Sequence, residues 1–473
     1  MSPSSDSSES NGPDNLSREG MNSLQKNDQA SENNNEASFG VKTTPDFIPM
    51  VRIIFWNSMG FFFFSYLIPF VARELLGASY AQLGLLFSIQ TTGGLISAPI
   101  VAFLTDRYSK KLLVLIGSSG RAACYFLMYL GIIVSNLYVF GAGMFVLGFF
   151  VGFFWTPLNA LISQKSNKRN RSAAFGKRAG MIGWGNLLGA GISFVIFGLA
   201  NTFIPENLFL VYSPLILFGA ANIYGGIIFH RKVDEKLTFE KHVYNLFPSS
   251  IEPSLISPEI ADQDASVKQK KVALPIGFFI GFFVLIIAFM TTSMNQSLAY
   301  PYFQVYLREE IGVDIEILIM LIYFPSQVLS PLFAPYLGKV ADRINPILGI
   351  SIVSGMGALV TILILNTTSG IVFGFILLFD STFAWGGNLI LQNFLSRLSK
   401  VHRGKMFGAA EWLSLTGAIV GPILGGLAAS VFGLSAPFII SIFIELSVIP
   451  LYAIAIKKLN PFMAEKLDEN SLF

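Results

Sequence analysis

Twelve stretches of this chain are apolar enough, and at roughly 20 residues or more long enough, to cross a bilayer as α-helices. They fall at about 48–71, 79–104, 111–134, 138–161, 175–199, 206–229, 273–299, 313–337, 346–365, 370–394, 405–430 and 434–456. The runs do not alternate with period two; Phe61–Phe64 and Leu112–Ile116 are unbroken, which argues against a β-barrel. Composition points the same way, since 53% of the 473 residues are hydrophobic, 13% are charged and the mean hydropathy is +0.60. A soluble domain carries about a quarter charged residues. With so few charges, much of the exterior must face lipid. An all-α membrane protein of twelve transmembrane helices is expected.

Basic residues set the orientation of such a chain. With the amino terminus in the cytoplasm, 28 of the 32 Lys and Arg residues fall in inner loops and tails. Arg73 and Arg308 are then the outer ones, while Arg52 and Arg121 lie inside runs. A multi-pass protein of a cell membrane with both termini cytoplasmic is expected. Residues 1–45 are rich in Ser, Asn, Asp and Glu and form a disordered tail in this reading, with no cleavable leader. The longest internal polar stretch, 231–272, divides the runs six and six and has room for a short surface helix. The expected organisation is therefore a bundle at 46–230, the linker at 231–272, a second bundle at 273–458 and a tail at 459–473.

The two halves repeat. Arg73-Glu74 matches Arg308-Glu309 at a shift of 235, and Ala98-Pro99 and Asp106-Arg107 match Ala334-Pro335 and Asp342-Arg343 at 236. Trp155 matches Trp385 at 230, and Arg171, Phe175 and Gly176 match Arg403, Phe407 and Gly408 at 232. Repeats with an even number of helices keep one orientation in the bilayer. The two six-helix bundles are therefore expected about a pseudo-two-fold axis along the membrane normal, with a path between them.

The stretch Ala102-Phe103-Leu104-Thr105-Asp106-Arg107-Tyr108-Ser109-Lys110-Lys111 resembles the major facilitator superfamily signature G-x-L-x-D-R-x-G-R-[KR], with Ala102 and Ser109 in place of glycines. Gly338-Lys339-Val340-Ala341-Asp342-Arg343 is its second-half copy, and Gly417–Gly426 looks like the Gly-Pro helix motif of the antiporter branches. Residues 138–161 lack the arginine of proton antiporters, which speaks against proton-coupled drug export. The resemblance implies alternating access, in which the second helix meets the eleventh across the halves and the eighth meets the fifth. It makes Asp106, Arg107, Lys110, Gly338, Asp342 and Arg343 gating residues. Asp106 would accept from backbone N–H groups near Gly404–Phe407, and Asp342 from those near Ala173–Gly176, where the helix dipole is positive.

Charge inside a membrane span is costly, which makes Arg121, Asp380 and Glu411 coupling candidates. Asp380 stands out, because a carboxylate in a low-dielectric path can take up and release a proton during a cycle. A fixed pair between Asp380 and Arg121 is the competing reading. By resemblance, helices 1, 4, 7 and 10 line the path, offering Asn57, Trp155, Asn159, Asn295, Gln296, Trp385 and Asn388. Amides beside aromatic rings suit a small organic solute, although Asn and Gln also join helices in membranes.

Other chemistries find little support. Cys124 is the single cysteine, and His230, His242 and His402 all lie in polar stretches, so no metal, cofactor or intramembrane nucleophile is expected. No Gly-Lys-Thr loop offers a phosphate site for an ATP-driven pump, and nothing points to nucleic acid. The expected partners are a small-molecule substrate, the lipid bilayer and protons as candidate coupling ions. A secondary transporter, not an enzyme, is the leading function. A passive facilitator or sugar-type carrier, or a non-transporting receptor or scramblase on the same fold, are the alternatives.

Overall fold

A backbone that leaves water must satisfy its own hydrogen bonds, so apolar runs close into helices. The computed structural model describes residues 42–167, 171–246, 276–330, Phe333, Leu337, 344–398 and 403–462. Gly338, Asp342 and Arg343 lie outside the described residues, as does the side chain of Glu411. The first six spans are α1 (Phe47–Leu75), α2 (Tyr80–Arg107), α3 (Lys110–Ile133), α4 (Leu137–Gln164), α5 (Arg171–Ser193, continued through a π turn to Phe203) and α6 (Leu208–Lys232). A short helix, Phe239–Leu246, follows in the linker. The second set is α7 (Ile276–Glu309), α8 (Glu316–Val328), α9 (Pro346–Asn366), α10 (Gly370–Leu398), α11 (Arg403–Phe432) and α12 (Ala436–Leu459). Eleven of these are long and apolar enough to cross a membrane among the described residues; α8 is described over a shorter apolar stretch.

Contacts repeat between the halves. α3 packs on α4 and α6 as α9 packs on α10 and α12, and α1 packs on α5 and α6 as α7 packs on α11 and α12. These are two six-helix bundles of one design. α1 and α7 also share interruptions, at Met59–Gly60 and at the 3-10 turn Tyr300–Tyr302, whereas α4 runs unbroken through Pro157. Pro69 in α1 has no N–H for the Ser65 carbonyl, and the Gln304 amide of α7 supplies the donor instead, at 3.2 Å.

The start of α1 at Phe47, the end of α12 at Leu459 and Asp106 mark one end of the bundles, here the proximal end; the other is distal. Distally, one buried core runs through both halves, with Phe62, Phe194 and Phe324 from α1, α5 and α8 packed at ring distances of 5.8–6.0 Å. Proximally, among the described residues, the core divides. Phe47, Ile54, Phe154 and Phe229 belong to a cluster of the first bundle, and Leu285, Phe394, Tyr452 and Leu459 to a separate cluster of the second.

The proximal end of the first bundle is tied by Lys165, which is fully buried. Its ammonium donates to Asp46 at 2.7 Å and to the carbonyls of Asp234 and Leu237 at 2.6 and 2.7 Å. Glu235 accepts from the backbone N–H of Lys110 at 2.7 Å and from the Ser109 hydroxyl, which caps α3.

Candidate functional site

The distal rim is closed by side chains that the repeat places twice. Arg73-Glu74 ends α1 and Arg308-Glu309 ends α7, and the two dipeptides meet reciprocally. Arg73 Nε lies 2.9 Å from Glu309, and Arg308 Nε lies 3.6 Å from Glu74. Tyr80 donates its hydroxyl to Glu309, and its ring lies under the Arg73 guanidinium at 4.2 Å. Arg308 also reaches Glu316 at 3.4 Å.

Below the rim, α2 and α11 touch backbone to backbone. A Cβ on Gly84 would stand 2.0 Å from the Pro422 carbonyl, so only glycine permits this approach. Ser88 Oγ donates to the Ile419 carbonyl at 2.7 Å, and the Tyr302 hydroxyl lies 3.1 and 3.2 Å from the Pro422 and Tyr80 carbonyls. The Gly-Pro stretch of α11 therefore serves close packing, against α2 on one side and α7 on the other. At the proximal end, by contrast, Asp106 is exposed and has no hydrogen-bonding or ion-pair partner among the described residues. Arg107 lies over the Phe103 ring at 4.0 Å, and Lys110 contributes its backbone N–H to Glu235.

Two cavities occupy the middle of the molecule. The first, about 420 Å³, lies between the bundles and is lined by α1, α2, α7 and α11, with Ser65, Gln90, Thr91, Gln296 and Ser414 as polar groups. The second, about 360 Å³, lies within the second bundle between α7, α8, α9, α10 and α12. Gln296 and Tyr300 line both, so one wall of α7 separates them.

The predicted path residues divide between the halves. Asn295, Gln296, Trp385, Asn388 and Asp380 all line the second cavity. Asn57 does not face a cavity; it is fully buried and donates to Ser118 Oγ at 3.0 Å, which donates in turn to the Asn222 carbonyl at 2.7 Å. Arg121 closes that cluster, donating to the Asn57 carbonyl at 2.9 Å between the rings of Phe61 and Phe154. It forms no ion pair among the described residues, so the Arg121–Asp380 pair is not made. Trp155 carries the Arg178 guanidinium over its ring at 4.6 Å, and the Asn159 Oδ1 atom is buried without a partner.

One functional side chain escaped the sequence reading. Glu445 of α12 lines the second cavity with Asp380 and accepts from Asn295 Nδ2 at 3.1 Å. The signal was present, a carboxylate within the run 434–456, but it lies on a helix outside the set expected to border the path.

Comparison with known proteins agrees with this architecture. The sequence matches the model of the Major Facilitator Superfamily over residues 53–400. A curated relative, the "Uncharacterized MFS-type transporter YqjV" of Bacillus subtilis (strain 168), is 24% identical over 418 residues, covering 84% of this chain and 88% of the relative. Among solved structures, the nucleoside transporter NupG superposes with a TM-score of 0.61 at 13% identity, over 88% of this chain and 100% of that one. A bacterial homologue of the human lysosomal transporter Spinster, in an inward-facing and occupied conformation, gives 0.64 at 13% identity, over 88% and 97%. The peptide transporter POT in complex with sulfate gives 0.65 at 14% identity, over 90% and 97%. At these identities the structures establish a common fold.

Proposed function

Because the chain belongs to the major facilitator superfamily, we propose that it moves a small organic solute across a cell membrane by alternating access, with both termini in the cytoplasm and a proton as coupling ion. The observation that supports this reading is the division of the core, which among the described residues is joined across the bundles distally and separate proximally. Two bundles joined at one end admit solute from the other, and rocking about the central cavity reverses the access. With the termini cytoplasmic, the described form is the one facing the cytoplasm, and the Arg–Glu rim is the outer gate. Its ion pairs are partly exposed, and such pairs are worth about 0–1 kcal/mol each. That is weak enough to break once per cycle.

The inner gate is the Asp-Arg loop pair. Asp106, unpartnered here, accepts from the first backbone N–H groups of α11 when the cytoplasmic side closes, with Arg107 and Lys110 beside it. Asp342, Arg343 and Gly338 play the same part against the start of α5. Asp380 is the coupling carboxylate, and Gln296, Asn295, Trp385 and Asn388 line the route of the solute.

Reconstitution tests each part. A solute that raises the melting temperature of the purified protein should exchange across proteoliposomes in counterflow and accumulate under an imposed pH gradient. Asp106→Asn should slow counterflow by about tenfold or more. Full transport in Asp106→Asn removes the gate, and unchanged proton dependence in Asp380→Asn removes the coupling role. Counterflow of no stabilising solute at all would overturn transport itself.

A further inference from the structure

We infer that the cavity inside the second bundle is a binding site for an organic ammonium ion, held by Asp380, Glu445 and Asn295. The inference deepens the transport reading, on which its place in a cycle rests, by naming the class of solute.

The charge in the cavity calls for a cation. Asp380 on α10 and Glu445 on α12 border the same space, and neither is ion-paired among the described residues. Glu445 receives one neutral hydrogen bond, from Asn295 Nδ2 at 3.1 Å. With both carboxylates ionised the cavity holds two negative charges inside a membrane protein, which is costly unless they are compensated. One ammonium and one proton would leave it neutral.

A separate observation points to a donor that is to come from outside the chain. Asn295 is only 8% exposed, yet its Oδ1 has no hydrogen-bond partner among the described residues. Asn295 lines the cavity, so a buried acceptor without a donor stands beside two carboxylates. A primary or secondary ammonium offers two or three N–H donors from one charged centre, enough to serve Asn295 and a carboxylate together.

The repeat supplies a third argument. Ser118 and Arg121 in the first bundle correspond to Ser354 and Gly357 in the second, both at a shift of 236, and Asn57 corresponds to Thr292 at 235. Asn222 and Glu445 each stand eight residues beyond the proline that opens their helix, Pro214 and Pro437. In the first bundle the guanidinium of Arg121 fills the centre of this cluster. In the second, Gly357 puts nothing there, and a Cβ at that position would lie 2.4 Å from Glu445 Oε1. The Glu445 carboxylate takes the space over Gly357, so where one half carries a built-in cation the other carries an acid.

Size and walls select the kind of cation. A proton or an alkali ion does not need a space of about 360 Å³, which falls within the range of pockets for organic ligands. The rings of Tyr300, Phe303, Phe383, Trp385 and Tyr452 border it. Aromatic faces attract cations and also cover hydrocarbon. An amine with an alkyl or aryl body satisfies both.

The test uses the purified full-length protein and a series of monoamines from methylammonium to phenethylammonium and tryptammonium. Alcohols of the same carbon skeletons and sodium chloride are the controls, and thermal stabilisation is the readout. The larger amines should raise the melting temperature saturably while the matching alcohols do not. Glu445→Gln and Asp380→Asn should each weaken amine binding by about tenfold or more. If these variants do not fold, Gly357→Ala, which crowds the Glu445 carboxylate without removing it, should weaken the amines against the unchanged alcohols. Equal stabilisation by amines and alcohols, no response to any amine, or amine binding indifferent to all three substitutions overturns the site. Stabilisation by sodium alone, lost in Glu445→Gln, overturns the organic assignment in favour of an alkali ion. Amine binding without counterflow in proteoliposomes leaves the site standing and sinks transport; counterflow of a neutral solute with no amine binding does the reverse.

Discussion

At the rim the two bundles are the same, and in the interior they are opposites. The dipeptides Arg73-Glu74 and Arg308-Glu309 make the same kind of contact from both sides, whereas the buried polar cluster holds Arg121 in one half and Gly357 with Glu445 in the other. Closing a gate needs matching surfaces on both bundles, and a duplicated pair supplies them at once. Recognising a solute needs a feature that one bundle has and the other lacks. The repeat is therefore retained where the halves meet and lost where a ligand fits.

The largest effect should come from making the second interior like the first. Gly357→Arg places a guanidinium between Asp380 and Glu445, and uptake should fall by about a hundredfold or more because paired carboxylates hold it firmly. The new side chain displaces the Glu445 carboxylate, which a Cβ at this position would meet at 2.4 Å, so uptake is read on protein shown to be folded by thermal unfolding. A stable Gly357→Arg protein with normal uptake would break the comparison. Next comes emptying the first interior. Arg121→Ala removes a fully buried side chain and should cost about 3 kcal/mol by thermal unfolding. If stability holds and only transport is lost, Arg121 touches solute and the two interiors are alike in function.

The rim should respond more mildly and, above all, equally. Arg73→Glu and Arg308→Glu should each favour the form open at the distal side by at most about 1 kcal/mol, a shift of roughly fivefold in population. Labelling of Tyr300→Cys in a Cys124→Ala background reads that shift, and the Arg73→Glu/Glu309→Arg exchange should reverse it. Unequal responses would show that only one of the two pairs closes the gate. The smallest expected change is that of salt. Raising ionic strength should move the same labelling rate in the same direction by a few tenths of a kcal/mol, because partly exposed pairs are screened.

Much of this was legible in the residues. Apolar length set the helices, and the paired Asp-Arg and Arg-Glu dipeptides revealed the duplication. Asp380 declared itself by carrying charge into an apolar run. What could not be read was direction. Asn57 and Asn295 look alike in sequence, yet one is locked among Ser118 and Arg121 and the other lines a cavity beside Glu445. Gly357 acts through the side chain it lacks, which no composition or spacing signals. Arg178 falls in the run 175–199 and counts with the inner cations, but nothing in the sequence shows that its guanidinium lies over Trp155. The rim dipeptides marked a repeat; that they touch each other follows only once the axis between the bundles is known.

That reciprocal touch has the form of an isologous contact, the kind two identical subunits make across a two-fold axis, where residue i meets j and j meets i. Here it is kept inside a single chain. A lone half carrying Arg-Glu at the end of its first helix could seal this edge against a second copy of itself, with no further invention. The contact needs no covalent join between the halves, and a protein split within residues 247–275 and coexpressed as two pieces should still close there.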